Sequence, residues 1–141
     1  MKWNKKFEYP KSQRSIIHGH RHYDIESEKL PSVTSILGQT QSEEKRKKLA
    51  EWREREGKQQ AQRILDQAGA RGTAMHKVLE GYLLGQNHAD FTELGEQAMM
   101  MAQQIIDNGI KGSLEEIWGS EVTLWYPELY AGATDVCGIY E

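Results

Sequence analysis

Residues 117–140, IWGSEVTLWYPELYAGATDVCGIY, decide the fold predicted for this chain. Apolar and polar side chains alternate with a period of two over 117–126 and again over 130–140, which is typical of strands. Pro127, Glu128 and Leu129 separate the two segments and predict a turn. The segment therefore predicts an antiparallel hairpin, and an acidic residue, Asp135, lies in the middle of its second strand.

The predicted register of this hairpin places two carboxylates opposite each other. With the turn centred on Glu128, Trp125 faces Ala131 and Glu121 faces Asp135. Cβ atoms of such neighbours lie roughly 4.5–5.5 Å apart. Two carboxylates that close repel each other unless a cation lies between them, and oxygen ligands favour Mg²⁺ or Mn²⁺ over zinc. The alternative is a slipped register that leaves the two acids on separate exposed edges.

A second polar pair lies in RGTAMHKVLEGYL, residues 71–83. Apolar residues at i, i+3, i+4, i+7 and i+8 predict a helix with one buried stripe over about 72–84. His76 and Glu80 are four residues apart, so they share one helix face, beside that stripe. They therefore either look into a cleft edge or form an ordinary pair on the helix surface.

The remaining elements are a short hairpin and further helices. Residues 14–26 predict a hairpin that turns near Gly19. Ser32 is the predicted N-cap of a short helix that ends near Gly38, and Ser42 that of a long helix over 42–68. A fourth helix is predicted over 92–109. We therefore expect a single α/β domain in the order N-terminal hairpin, four helices and first strands of a central sheet.

Composition excludes several classes of protein. The 141 residues contain one cysteine, Cys137, which rules out an internal disulfide and favours a cytoplasmic protein. No apolar run reaches the length of a membrane span, so we expect no membrane partner. Residues 1–63 carry 15 Lys and Arg against 9 Asp and Glu, and residues 64–141 carry 3 against 12. A basic half can hold a polyanion and an acidic half can hold cations, although ordinary surface patterning produces such a split equally well.

Several stretches together resemble the PD-(D/E)XK nuclease superfamily, in particular its RecB-like and phage-encoded exonucleases. The resemblance covers roughly residues 20–140, and its motifs follow the family's order. The stretches that carry it are LPSVTSIL (30–37), EWREREG (51–57), RGTAMHKVLEGYL (71–83), EVTL (121–124) and YAGATD (130–135).

The resemblance implies a Mg²⁺- or Mn²⁺-dependent exodeoxyribonuclease that acts on linear DNA, single- or double-stranded, in phage-type recombination, repair or DNA degradation. Asp135 matches a ligand of the catalytic metal, His76 matches the histidine beside the metal, and Glu80 and Glu121 match acids that recur near the site. We therefore expect the metal at Glu121, Asp135 and His76. The expected DNA-contacting residues are Ser32, Thr34, Lys45, Arg46, Arg53 and Arg71.

One feature of the family is missing from this sequence. The family's next strand carries the D/E-x-K motif, which supplies a second acid and a lysine, and the sequence stops at Glu141 before such a strand. We therefore expect an incomplete domain, little cleavage by this chain alone, and an open edge through which two copies could associate. A non-catalytic DNA-binding module and a purely structural protein are the alternatives.

Overall fold

The computed structural model describes residues 1–87 and 89–141, which form a mixed α/β fold, as predicted. The strands of this part of the chain are β1 (Lys2–Trp3), β2 (Ser12–Ile17), β3 (His20–Ile25), β4 (Glu28–Pro31), β5 (Leu114–Tyr126) and β6 (Tyr130–Tyr140). Its helices are α1 (Val33–Gln39), α2 (Glu43–Glu56), α3 (Lys58–Leu83) and α4 (Glu93–Ile105), and a π-helical turn (Ile106–Ile110) extends α4.

The strands form two three-stranded sheets. The predicted N-terminal hairpin, β2 and β3, turns at His18 and Gly19, and β4 adds a third antiparallel strand that the sequence analysis did not predict. The second sheet has the order β1-β5-β6, with β1 parallel to β5 and β6 at an edge. That edge is the one through which association of two copies was expected, and the association stays a prediction.

The helices begin where their caps predict, but the long helix is divided differently. Ser32 and Ser42 each accept a hydrogen bond from the backbone N–H three residues later, as predicted for N-caps. The prediction of one helix over 42–68 was wrong. Gly57 has a φ of 85°, so α2 ends there and α3 runs unbroken from Lys58 through the predicted start near residue 72.

Two apolar clusters hold the sheets and helices together. Buried Tyr23, Ile25 and Leu30 of the first sheet pack on Ala131 of β6, with Trp125 against them. At the other end of the hairpin, a second cluster joins the end of α3 to the beginning of β5; its buried members are Leu83, Leu114 and Ile117. The groove that lies between the two clusters is bordered by α3 and the hairpin β5–β6.

None of the helices in the described residues has the length and apolar content needed to cross a membrane. Helix α2 carries six basic residues, at positions 45–48, 53 and 55, and buries none of its residues. An exposed helix face accounts for this cluster of positive charge.

Candidate metal centre

Three side chains from three elements converge in the groove. His76 Nδ1 of α3 lies 3.3 Å from Asp135 Oδ1 of β6 and 3.9 Å from Glu121 Oε1 of β5. One ligand atom from each residue lies within 4.8 Å of the other two. Within the described part of the chain, no other group of three histidine, cysteine or acidic side chains is this compact.

The hairpin register brings the two carboxylates together. Trp125 pairs with Ala131 and Thr123 with Ala133, which confirms the predicted register. Ser120–Val136 and Val122–Thr134 continue it on either side of Glu121 and Asp135. Glu121 itself has a φ of 52°, an unusual value for a residue other than glycine, and such a strained position in a strand is typical of functional sites.

The packing of α3 along β5 brings His76 to the same point. Leu83 of α3 and Ile117 of β5 belong to one buried cluster, and the contact between His76 and Glu121 lies further along the same two elements. His76 is seven residues before Leu83, about 10 Å along a helix, and Glu121 is four residues after Ile117, about 13 Å along a strand. The two side chains therefore reach the same level of the groove.

The donor set fits a divalent cation. Two ligand atoms that each lie about 2.1 Å from one ion are at most about 4.2 Å apart. The 3.3 and 3.9 Å separations from His76 Nδ1 lie within that limit. The carboxylate oxygens of Glu121 and Asp135 lie within 4.8 Å of each other and would close to that limit when they share an ion. An imidazole nitrogen and two carboxylate oxygens suit a divalent cation, and the side chains are 45%, 39% and 69% exposed for His76, Glu121 and Asp135, so an ion can reach them.

Two cavities adjoin the triad of His76, Glu121 and Asp135. The triad cavity, of about 630 Å³, is lined by all three of these residues together with Ser32 and Thr34. The helix cavity, of about 520 Å³, shares His76 and Glu121 with it. Glu80 and Lys77 line the helix cavity, so Glu80, the acid predicted on α3, lies beside the triad and not in it.

Sequence reasoning missed two arginines in the triad cavity. Arg14 and Arg21 both line it, and neither forms an ion pair with a described residue. The Arg14 guanidinium lies 6.0 Å from the centre of the Tyr23 ring. The alternation of Arg21, Tyr23 and Ile25 along β3 already indicates that Arg21 shares a face with core residues. Its position beside Asp135 depends on how the two sheets pack, which no local pattern gives.

Ser32 and Thr34 reach the triad cavity in different environments. Ser32 is 1% exposed, and its Oγ accepts a hydrogen bond from the Ser35 N–H and donates one to Ser35 Oγ. Thr34 is exposed. The hydroxyl of Thr34 is therefore the more accessible of the two to a ligand in the cavity.

The four basic residues that were predicted to contact DNA line neither the triad cavity nor the helix cavity. Lys45, Arg46 and Arg53 are on α2, where Arg46 donates to the Gln39 carbonyl and Arg53 lines a separate cavity with Lys58. Arg71 is half-buried on α3 and lines neither the triad cavity nor the helix cavity. The structure therefore unites the predicted metal ligands and leaves these four cations apart from them.

Comparisons of this chain with protein-family models, curated proteins and solved structures find no match. The resemblance to PD-(D/E)XK nucleases therefore stays a prediction from the sequence motifs.

Proposed function

We propose that this chain forms the metal-binding and DNA-binding part of a Mg²⁺- or Mn²⁺-dependent exodeoxyribonuclease. The observation that carries the proposal is the convergence of His76, Glu121 and Asp135, which lie far apart in sequence, to within 4.8 Å. The order of the motifs around these residues, which is that of RecB-like nucleases, supports the same function.

Each residue has a role that its position suggests. A bound divalent cation would polarise a phosphodiester and lower the pKa of water. Glu121 and Asp135 supply the negative charge that holds the cation, and His76 supplies the third ligand. Arg14 and Arg21, which line the same cavity, would neutralise and orient a phosphate, because a guanidinium donates paired hydrogen bonds to phosphate oxygens.

The experiment measures binding of fluorescent linear DNA with and without Mn²⁺. If the triad couples the cation to the phosphate, Mn²⁺ should tighten binding roughly 5- to 150-fold, the usual range of coupling between two ligands. Asp135→Asn should remove this effect, and Glu115→Gln, which changes an exposed acid on β5, should keep it. Binding that does not respond to Mn²⁺, or that responds equally in Asp135→Asn, would contradict the proposal.

The same samples test the expected weak cleavage. We expect little or no degradation of linear DNA by this chain, because none of the strands in its described residues carries a D/E-x-K motif. Robust Mn²⁺-dependent degradation that disappears in Asp135→Asn would overturn that expectation and would strengthen the assignment of the triad as a nuclease site.

A non-catalytic DNA-binding module is the second candidate. Arg14 and Arg21 favour it, because they form no ion pair with described residues and remain available to phosphates. Such a module would bind DNA without metal, with an affinity that falls steeply as salt rises. Arg14→Gln would then weaken binding, and Asp135→Asn would leave it unchanged or strengthen it by removing a negative charge.

A further inference from the structure

The tip of the hairpin β5–β6 carries two neighbouring tyrosine rings that are tilted towards each other. Tyr126 and Tyr130 are partners in the register, and their ring centres lie 5.8 Å apart at an angle of 31°. Their residues are 56% and 42% exposed. Two exposed aromatic rings this close together form a surface on which another flat ring can stack.

The tip that carries these rings is held in place. The Leu129 N–H donates to the Tyr126 carbonyl across the turn, at 3.0 Å. The Glu128 N–H donates to Glu28 Oε1 at 2.9 Å, which ties the turn to β4 of the other sheet. The backbone that carries the two rings, which we call the platform, is therefore held in place, and a ligand that stacks on them would not have to order the turn first.

The platform and the triad share one cavity. Tyr126 and Tyr130 line the triad cavity, together with Arg14, Arg21 and Asp135. The cavity thus combines flat apolar rings with unpaired guanidinium groups and a candidate cation site. A ligand that matches all three has a flat π-face joined to a polyanionic backbone, which describes a nucleotide strand.

The exposed rings discriminate between paired and unpaired strands. In a duplex, neighbouring bases cover each other's faces, so an aromatic platform can stack only on a terminal pair. In an unpaired strand, each base offers its face. We infer that the triad cavity takes the unpaired end of single-stranded DNA, with bases stacked on Tyr126 and Tyr130 and phosphates directed to Arg14 and Arg21. The inference rests on the proposed function, since it names that site's substrate class.

The test compares three labelled DNAs of about 12 nucleotides, a length typical of single-strand binding sites. They are a single strand, the blunt duplex of the same strand, and an abasic strand that keeps the phosphates. Binding is measured in a chelator, so the result depends neither on metal nor on cleavage. The variants are Tyr126→Ala, Tyr130→Ala and Tyr130→Phe, and Tyr140→Ala at the far end of β6 is the matched control, because it is also exposed, at 65%.

We expect the single strand to bind more tightly than both the duplex and the abasic strand. Each alanine variant at the platform should weaken single-strand binding roughly 5- to 100-fold, the range for loss of base stacking, and should leave abasic binding unchanged. Tyr130→Phe and Tyr140→Ala should bind like the wild type, because the first keeps the ring and the second lies outside the cavity. Circular dichroism checks that each variant folds.

Failure of this inference can be told apart from failure of the proposed function. Preference for the duplex, equal binding of the abasic strand, or platform variants that bind single strands normally would each overturn the inference. If Mn²⁺ coupling through Asp135 survives alongside these results, the proposed function stands and only its substrate class is wrong. If no DNA binds under either condition, both are wrong.

Discussion

His76 Nδ1 lies 3.3 Å from Asp135 Oδ1, although one residue is on a helix and the other is on an edge strand much later in the chain. This approach depends on the packing of α3 along β5 and on the register that carries Asp135 opposite Glu121. The contact therefore depends on the fold of the chain and also forms part of the candidate metal centre. Substitutions of residues in the centre test whether each residue contributes to the stability of the fold or to metal binding.

The backbone conformation of Glu121 predicts that its replacement by glycine lowers the affinity for metal without lowering the stability of the fold. At a φ of 52°, glycine relieves strain that costs about 1–3 kcal/mol, against an entropic cost of about 0.5–1 kcal/mol. Glu121→Gly should therefore keep or raise the free energy of unfolding, measured in urea. Its affinity for Mn²⁺ should fall at least about tenfold, a loss seen even for partners outside the ligand shell.

Glu128→Gly is the matched control for that substitution. Glu128 also has a positive φ, 70°, but it lies in the turn and lines neither the triad cavity nor the helix cavity. The free energy of unfolding of Glu128→Gly should change by about as much as that of Glu121→Gly, and Glu128→Gly should bind Mn²⁺ as tightly as the wild type. A large loss of stability in Glu121→Gly alone would indicate that its carboxylate stabilises the fold rather than a ligand.

Ser32 should matter for stability more than for DNA binding. Its Oγ caps α1 while 1% exposed, so Ser32→Ala should cost roughly 0.5–2 kcal/mol of unfolding free energy. Ser42→Ala, which removes the exposed cap of α2, should cost less. Thr34 Oγ1 lies 3.2 Å from Ser32 Oγ, but the bond from the Ser35 N–H to Ser32 does not need it, so Thr34→Ala should cost less stability than Ser32→Ala. It should weaken DNA binding, and a Thr34→Ala protein with normal DNA affinity would remove Thr34 from the predicted contacts.

Glu116 predicts how acid weakens the fold. Hydrogen bonds from Trp118 Nε1 and Asn4 Nδ2 to Glu116 Oε1, both 2.7 Å long, hold the pKa of this carboxyl below its usual range. A folded-state pKa below the unfolded one gives stability that is present at neutral pH and is lost as pH falls through the folded value. Urea unfolding of Glu116→Gln should therefore lose less stability between neutral and acid pH than the wild type.

Glu115→Gln is the control for Glu116→Gln, because Glu115 is exposed and takes no part in the two hydrogen bonds that Glu116 accepts. It should keep the full acid sensitivity of the wild type. If the two variants lose the same stability in acid, the hydrogen bonds to Glu116 do not account for the effect.

Much of the fold could be predicted from local patterns. The period of two over 117–126 and 130–140, with Pro127 to Leu129 between, is enough to predict the hairpin and its register from Gly119–Cys137 to the turn. Before Gly119 the register shifts, so that Ile117 pairs with Gly138, and no local pattern predicts that shift. Ser32 and Ser42 are clear caps because their side chains compete for backbone N–H groups. The division at Gly57 was missed because the cost of a helical glycine is small, and packing decides whether a helix continues through it.

The candidate site was only partly predictable, because it is made by tertiary packing. Glu121 and Asp135 share a hairpin, so sequence spacing alone relates them. The addition of His76 came from the resemblance, and its distance from Asp135 depends on how α3 packs along β5. Arg14 gave no signal beyond its charge, and Arg21 gave only the face that it shares with Tyr23. The place of both arginines in the triad cavity follows from how one sheet lies on the other.

Titration of the chain with Mn²⁺ by calorimetry is the most direct test of the candidate metal centre. We expect the wild type and Glu115→Gln to bind one ion per chain. Asp135→Asn and His76→Ala should bind it at least about tenfold more weakly while they unfold at the same urea concentration. A wild-type chain that binds no Mn²⁺, or Asp135→Asn and His76→Ala proteins that bind it as tightly as the wild type, would contradict the assignment of His76, Glu121 and Asp135 as a metal site.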